Sequence, residues 1–173
     1  MGAGKILILI GALLTLVSTF FFSLFATLGF PGVNATYGDY GYGIGFIFNI
    51  PYVLSNGADF AADIGAEVMV VYIVAIVFIV FLLSGILQLI GLATRVLAII
   101  GSILPIAAGV LTLLISFGIL DFGNYLTLFA SDGIAPGIFP FDISLGTVSL
   151  GTYTLIAGGV LGFVGGILGT DEF

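Results

Sequence analysis

The chain has 173 residues, of which 61% are hydrophobic and 6% charged, with two cations against nine acids and a net charge of −7. A soluble domain of this size needs far more polar surface, so the composition points to an outer surface that meets lipid. Cys and His are both absent, which excludes disulfides and removes the usual ligands of zinc, copper, haem and iron–sulfur clusters, while the acidic balance argues against nucleic acid and anionic lipid surfaces as partners.

The few charges divide the chain. Lys5 opens an uncharged stretch over residues 6–28, and further uncharged stretches cover 68–94, 96–120 and 143–169. Each exceeds the roughly 20 residues that cross a hydrocarbon core at 1.5 Å rise per residue. The expected architecture is an all-α integral membrane protein, a single domain with four transmembrane spans at those positions. Outer loops at 29–67 and 121–142 complete it. The first stretch is far longer than the roughly 7–15 apolar residues of a signal-peptide core, so it is read as a span. Position 6 is Ile, which does not fit a myristoylation signal. Small polar groups line one side of this span, at Gly11, Thr15, Ser18, Thr19 and Ser23.

The first loop begins with Asn34-Ala35-Thr36, an N-glycosylation acceptor that is either used or a chance sequon. From Tyr37 to Phe48 bulky residues alternate with Gly and others, which suits a β-strand with an aromatic face. Those aromatics read as the core of an outer sheet or a headgroup belt, or else as a sticky surface for a partner. Pro51 and Asn56-Gly57 punctuate the run, and a helical segment leads into the second span. On such a helix Asp59, Asp63 and Glu67 form one acidic stripe. It is either a solvated face that favours the helix dipole or a site for a hard cation such as Ca²⁺.

The second span is bulky on most faces and is expected to supply much of the lipid surface. Gln88, its most polar side chain, reads as an interhelical hydrogen-bonding group. Arg95 sits alone in the turn before the third span, which carries a small-residue stripe from Gly101 through Pro105 to Ser116. Pro105 is expected to kink the helix, because its ring crowds the Gly101 carbonyl and it has no N–H to donate. Tyr125–Phe129 of the second loop is another strand candidate. One small extracellular β-sheet pairing strands from both loops is expected, since an isolated hairpin is marginal. In the fourth span Gly158, Gly162 and Gly166 recur every four residues, a ridge that lets another backbone approach closely. The ridge packs within the bundle or docks another subunit.

Two regularities concern the whole chain. Lys5 and Arg95 orient it by the positive-inside rule, with both termini and the second-to-third turn cytoplasmic, the acids outside, and the chain multi-pass in the cell (plasma) membrane. Arg95 and Lys5 should then lie near Asp171 and Glu172. Aligning the first and third spans on their cations places Gly11 over Gly101 and Thr15 over Pro105. Tyr72 falls over Tyr153, and Ser84-Gly85 over Gly165-Gly166. The spans therefore read as two pseudo-repeated hairpins, or as chance matches in low-complexity sequence.

The layout resembles the claudin and peripheral-myelin-protein group of tetraspan proteins in its loop lengths, the strand-like Tyr40–Phe48, the helix-like Asp59–Glu67 and the single Arg95 at the inner turn. The resemblance implies a four-helix bundle with both termini inside, an outer sheet from the two loops and a short helix before the second span. The group's outer-loop Trp and Cys signature is absent, so no functional residue carries over.

The spans carry no ionisable side chain of the kind that relays protons or conducts ions. Serines without a His partner do not make a nucleophile–base pair. The function expected is that of a small structural or interaction protein, not an enzyme. It would act through its outer sheet and glycine-faced helices, by self-association as a homo-oligomer or as an accessory subunit of other membrane proteins, with membrane lipid around it and no resident cofactor. The alternative is an oligomeric cation channel with Asp59, Asp63 and Glu67 at its mouth.

Overall fold

Four helices are long and apolar enough to cross a membrane: Ala3–Phe20, Val68–Ile90, Arg95–Ser116 and Leu150–Leu168. They belong to a computed structural model that describes residues 2–27, 39–41, 43–120, 130–131, 141 and 143–169. In chain order the elements are α1 (Ala3–Phe20), β1 (Phe25–Thr27), β2 (Asp39–Gly41), α2 (Gly43–Ile64), α3 (Val68–Leu82), α4 (Ser84–Ile90), α5 (Arg95–Ser116), β3 (Ala130–Ser131), β4 (Ser144–Leu145), β5 (Val148–Ser149) and α6 (Leu150–Leu168).

The helices α1, α4, α5 and α6 pack as a ring in that order, with α6 returning against α1. Gly4 abuts Gly165 and Gly169, and Arg95 reaches the Gly166 and Ile167 carbonyls. The start of α1, the turn before α5 and the end of α6 therefore share one end of the bundle. Four elements of even count and alternating direction require this.

At the opposite end the two loops meet in one sheet. The strand β1 pairs antiparallel with β2, Ala26 opposite Tyr40, and β2 pairs antiparallel with β3, Tyr40 opposite Ser131. The inter-loop sheet expected from the sequence is present, but its strands differ. The stretch from Tyr37 to Phe48 supplies only Asp39–Gly41, and from Gly43 onward it is the helix α2. The candidate Tyr125–Phe129 lies outside the described residues. A separate hairpin, β4–β5, turns at Gly146 (φ 72°).

Helix α2 lies along α3. Phe46, Val53, Gly57 and Ala61 recur at helical spacing and are buried. They join Val71, Ala75, Phe81 and Leu82 of α3, and Leu155 of α6, in one apolar core. Phe46 stacks obliquely on Phe78 at 5.6 Å between ring centroids. Pro51 stands inside α2, and the Ser55 hydroxyl donates to its carbonyl at 2.5 Å. The backbone leaves helical geometry at Asn56 (φ −129°, ψ 31°), so α2 consists of two halves.

The helices are shorter than the uncharged stretches because local caps end them. Gly118 adopts φ 68°, its N–H donates to the Ile115 carbonyl, and Ile119 N–H donates to Leu114. This is a Schellman ending, so α5 stops at Ser116 instead of running to residue 120. Gly65 ends α2 in the same way, with Gly65 N–H to Ala62 and Ala66 N–H to Ala61. Helix α5 runs through Pro105 without interruption, and the second long helix has a one-residue interruption at Leu83 between α3 and α4.

Ser149 starts α6. Its hydroxyl accepts from Gly151 N–H at 3.2 Å and donates to the Ser23 carbonyl beyond the end of α1. An N-cap of this kind contributes about 1 kcal/mol, and the tie to Ser23 adds to it. Ser149→Ala is expected to destabilise the fold by about 1–2 kcal/mol, read as a lowered thermal midpoint by circular dichroism in detergent. An unchanged midpoint would show that the cap contributes nothing.

Candidate functional site

The interior of the ring is lined by glycine and by small polar side chains. Gly11 of α1 faces the Gly158 carbonyl and Gly162, where a Cβ would lie 2.6 Å from each backbone. Gly158 faces Thr15, Gly166 faces Ile99 of α5, and Gly101 faces Leu87 and the Gln88 backbone of α4. All of them, with Pro105, are buried. The glycine ridge of α6 thus packs inside the chain, against α1 on one flank and α5 on the other. It leaves no open face there for a second subunit.

These contacts repeat. Gly11 meets α6 at Gly162, and Gly101 meets α4 at Gln88. Leu16 of α1 covers Gly85, and Ile106 of α5 covers Gly159. Ala98 of α5 covers Gly91, and Ile8 of α1 covers Gly165. The pairing of Gly11 with Gly101 from the sequence therefore holds in space. The pairing of the second and fourth helices shifts: Gly85 corresponds to Gly159, not to Gly166. Two turns of apolar helix separate the two alignments, and nothing in Val, Ile, Leu and Gly distinguishes them without the contacts.

The two halves differ where polarity enters. Gln88 stands where its counterpart is Gly162, Ser84 where it is Gly158, and Ser102 where it is Ala12. Side chains of one hairpin fill room left by glycines of the other. Gln88 is fully buried; its Nε2 donates to the Ser102 hydroxyl at 3.2 Å, and Ser102 donates to the Ala98 carbonyl at 2.6 Å. A Cβ on Gly162 would lie 3.0 Å from Gln88 Nε2. The interhelical role read for Gln88 is what the geometry shows.

The polar seam continues toward the sheet. Ser18 of α1 donates to Thr154 of α6 at 2.7 Å. The Thr112 and Thr152 hydroxyls lie 3.3 Å apart, and Thr152 donates to the Leu24 carbonyl at 2.7 Å. Hydrogen bonds between helices replace, in lipid, some of the adhesion that water supplies to soluble cores. The hydroxyls of Thr15, Thr19, Ser23 and Ser84, and Gln88 Oε1, have no partner among the described residues. Buried groups of this sort are ordinarily completed by ordered water. The α1 hydroxyls are legible as a stripe in the sequence; Thr152 and Thr154 carry the weaker signal of helical spacing from Gly159 and Gly158, and Ser149 that of an N-cap before α6.

The outward acids do not form the stripe expected. Asp59 and Asp63 are exposed on α2, but Gly65 ends that helix and Glu67 stands exposed at the N-cap of α3. Among the described residues no three His, Cys, Asp or Glu side chains gather as a metal site. Asn34, Asp171 and Glu172 lie outside the described residues. Arg95 caps α6, Nε donating to Gly166 at 3.3 Å and Nη2 to Ile167 at 3.2 Å, a favourable place for a cation at a helix C-terminus. Among the described residues the buried polar side chains are hydroxyls and one amide, none of them ionisable.

No protein-family model matches the chain, and no curated protein or solved structure matches it either.

Proposed function

We propose that this is a small structural or interaction protein of the cell membrane. It crosses the bilayer four times, with both termini and the turn before α5 in the cytoplasm, and presents its sheet and the acidic half of α2 outside. It acts there by self-association or as an accessory subunit. One observation carries the reading: the described structure beyond the ring lies at one end. The end bearing Lys5 and Arg95 offers a short turn and helix termini, while the other offers an inter-loop sheet and the helix α2 packed along α3. The sides follow from the two cations at the first end and Asp59, Asp63 and Glu67 toward the second.

The glycine faces are occupied within the chain, so association would use the outer module or the lipid-facing sides of the helices. The buried polar side chains of the described seam are all uncharged, which disfavours cation conduction through a single bundle.

The chain has no Cys, so single cysteines report its sides. In sealed right-side-out vesicles Glu67→Cys is expected to react with an impermeant maleimide and Ala93→Cys only after lysis; the reverse pattern would refute the orientation. Purification in mild detergent with mass analysis is expected to return a stable homo-oligomer or heteromer, silent in planar bilayers. Cation current that collapses on Asp59→Asn with Asp63→Asn and Glu67→Gln would replace this reading with the channel.

A further inference from the structure

The exposed side of α2 changes character along its length. Its first half shows Ile47, Phe48, Pro51, Tyr52 and Leu54 to the outside, with Phe48 and Leu54 more than half exposed. The second half, after the irregularity at Asn56, shows Ala58, Asp59, Ala62 and Asp63. A helix wholly in water would not hold its large apolar groups on one half of its free side.

The neighbours of α2 give its depth. Gly43 sits against Leu82 at the far end of α3 and against Thr19 in the last turn of α1, while Gly57 sits against Tyr72. Leu82 lies about 21 Å along α3 from Val68, at 1.5 Å per residue, and Tyr72 only about 6 Å. Thus α2 runs antiparallel to α3 and enters deepest at its N-terminal end. By these levels its apolar half lies beside Ile73, Ile76, Val77 and Val80 of α3, which are exposed, while Val68 and Met69, also exposed, lie nearer its acidic half. Its acidic half lies beside the start of α3, where Glu67 is.

We infer that the first half of α2 is seated in the outer leaflet, with Ile47, Phe48, Tyr52 and Leu54 against acyl chains at the headgroup boundary, and that the helix emerges into water near Asn56. The occupant of this face is lipid. Three observations favour lipid over a protein partner: exposed apolar residues of α3 stand at the same levels, the exposed side chains of α2 pass from apolar to acidic near Asn56, and Tyr52 stands about one turn from that change, where aromatic residues favour the interface. The inference rests on the four-span reading, and deepens it by making part of the first outer loop a membrane-contacting element.

The chain contains no Trp, so one introduced Trp is an unambiguous probe. Phe48→Trp and, separately, Ile76→Trp would be reconstituted in phosphatidylcholine vesicles with and without bromine at the 6,7 positions of one acyl chain. Both positions are exposed, so both variants should fold. The expected result is quenching of both, at least twofold, with little effect of aqueous iodide. Quenching of Ile76→Trp by bromine, with Phe48→Trp quenched by iodide alone, would overturn the inference and leave the four spans standing. A Phe48→Trp signal shielded from both quenchers would overturn it in favour of a protein partner. Failure of bromine at both positions would remove the membrane reading itself.

Discussion

Gly11→Leu is expected to abolish folding of the bundle, while Ala107→Leu on the same scale of added volume leaves it intact. Gly11 faces Gly158 and Gly162 across the interface of α1 and α6, and even a Cβ there would fall 2.6 Å from backbone atoms of the opposite helix. Backbone cannot turn aside as a side chain does, so the helices must separate. Ordinary overpacking costs about 1–3 kcal/mol, and separating the helices adds the loss of the Ser18–Thr154 bond and of Thr152 to Leu24. Ala107 is exposed on α5, and a Leu there meets only surroundings. Gly11→Ala should fall between, destabilised by about 1–3 kcal/mol. The measurement is the folded fraction after extraction, by size exclusion and by urea titration with circular dichroism. If Gly11→Leu behaved as Ala107→Leu does, the close approach of α1 to α6 would be refuted.

The same glycines show what a sequence of this kind discloses. Four spans were legible because 18 or more apolar residues in a row have few other uses, and Lys5 and Arg95 mark helix starts. The inter-loop sheet was legible as a need, since two short loops leave their backbone unpaired unless they pair with each other. Helix α2 was not. Between Tyr40 and Phe48 the glycines at 41, 43 and 45 impose a period of two on whatever lies between them, and that mimics a strand. The deciding pattern was the longer one, Phe46, Val53, Gly57 and Ala61, which only a helix brings to one side. Pro51 masked it further, since a proline has no N–H to give the carbonyl four residues before it and ordinarily disfavours a helix interior. Helix ends were illegible to hydropathy because residues 21–28 and 143–149 are as apolar as the spans. Their signals were conformational: Gly118 and Gly65 as C-caps, Gly146 in a hairpin and Ser149 as an N-cap.

The interior polarity sets the second large effect. Gln88→Leu is expected to fold normally, within about 1 kcal/mol of the parent, because it removes an amide whose Oε1 has no partner among the described residues and leaves Ser102 bonded to Ala98. Gln88→Glu has nearly the same shape and should fail. It places a carboxylate in a fully buried position faced by Gly162 and Gly101, while the nearest cation, Arg95, is exposed two turns away and donates to the end of α6. An unpaired buried charge costs several kcal/mol. The comparison of folded yield between the two variants separates a packing role from a chemical one. A Gln88→Leu that folded poorly while Gln88→Glu folded well would mean that position 88 meets water or a cation, and the interior would then be a passage instead of a seam. The packing argues the other way: the room beside Gln88 is made by the missing side chain of Gly162, and the amide already fills it.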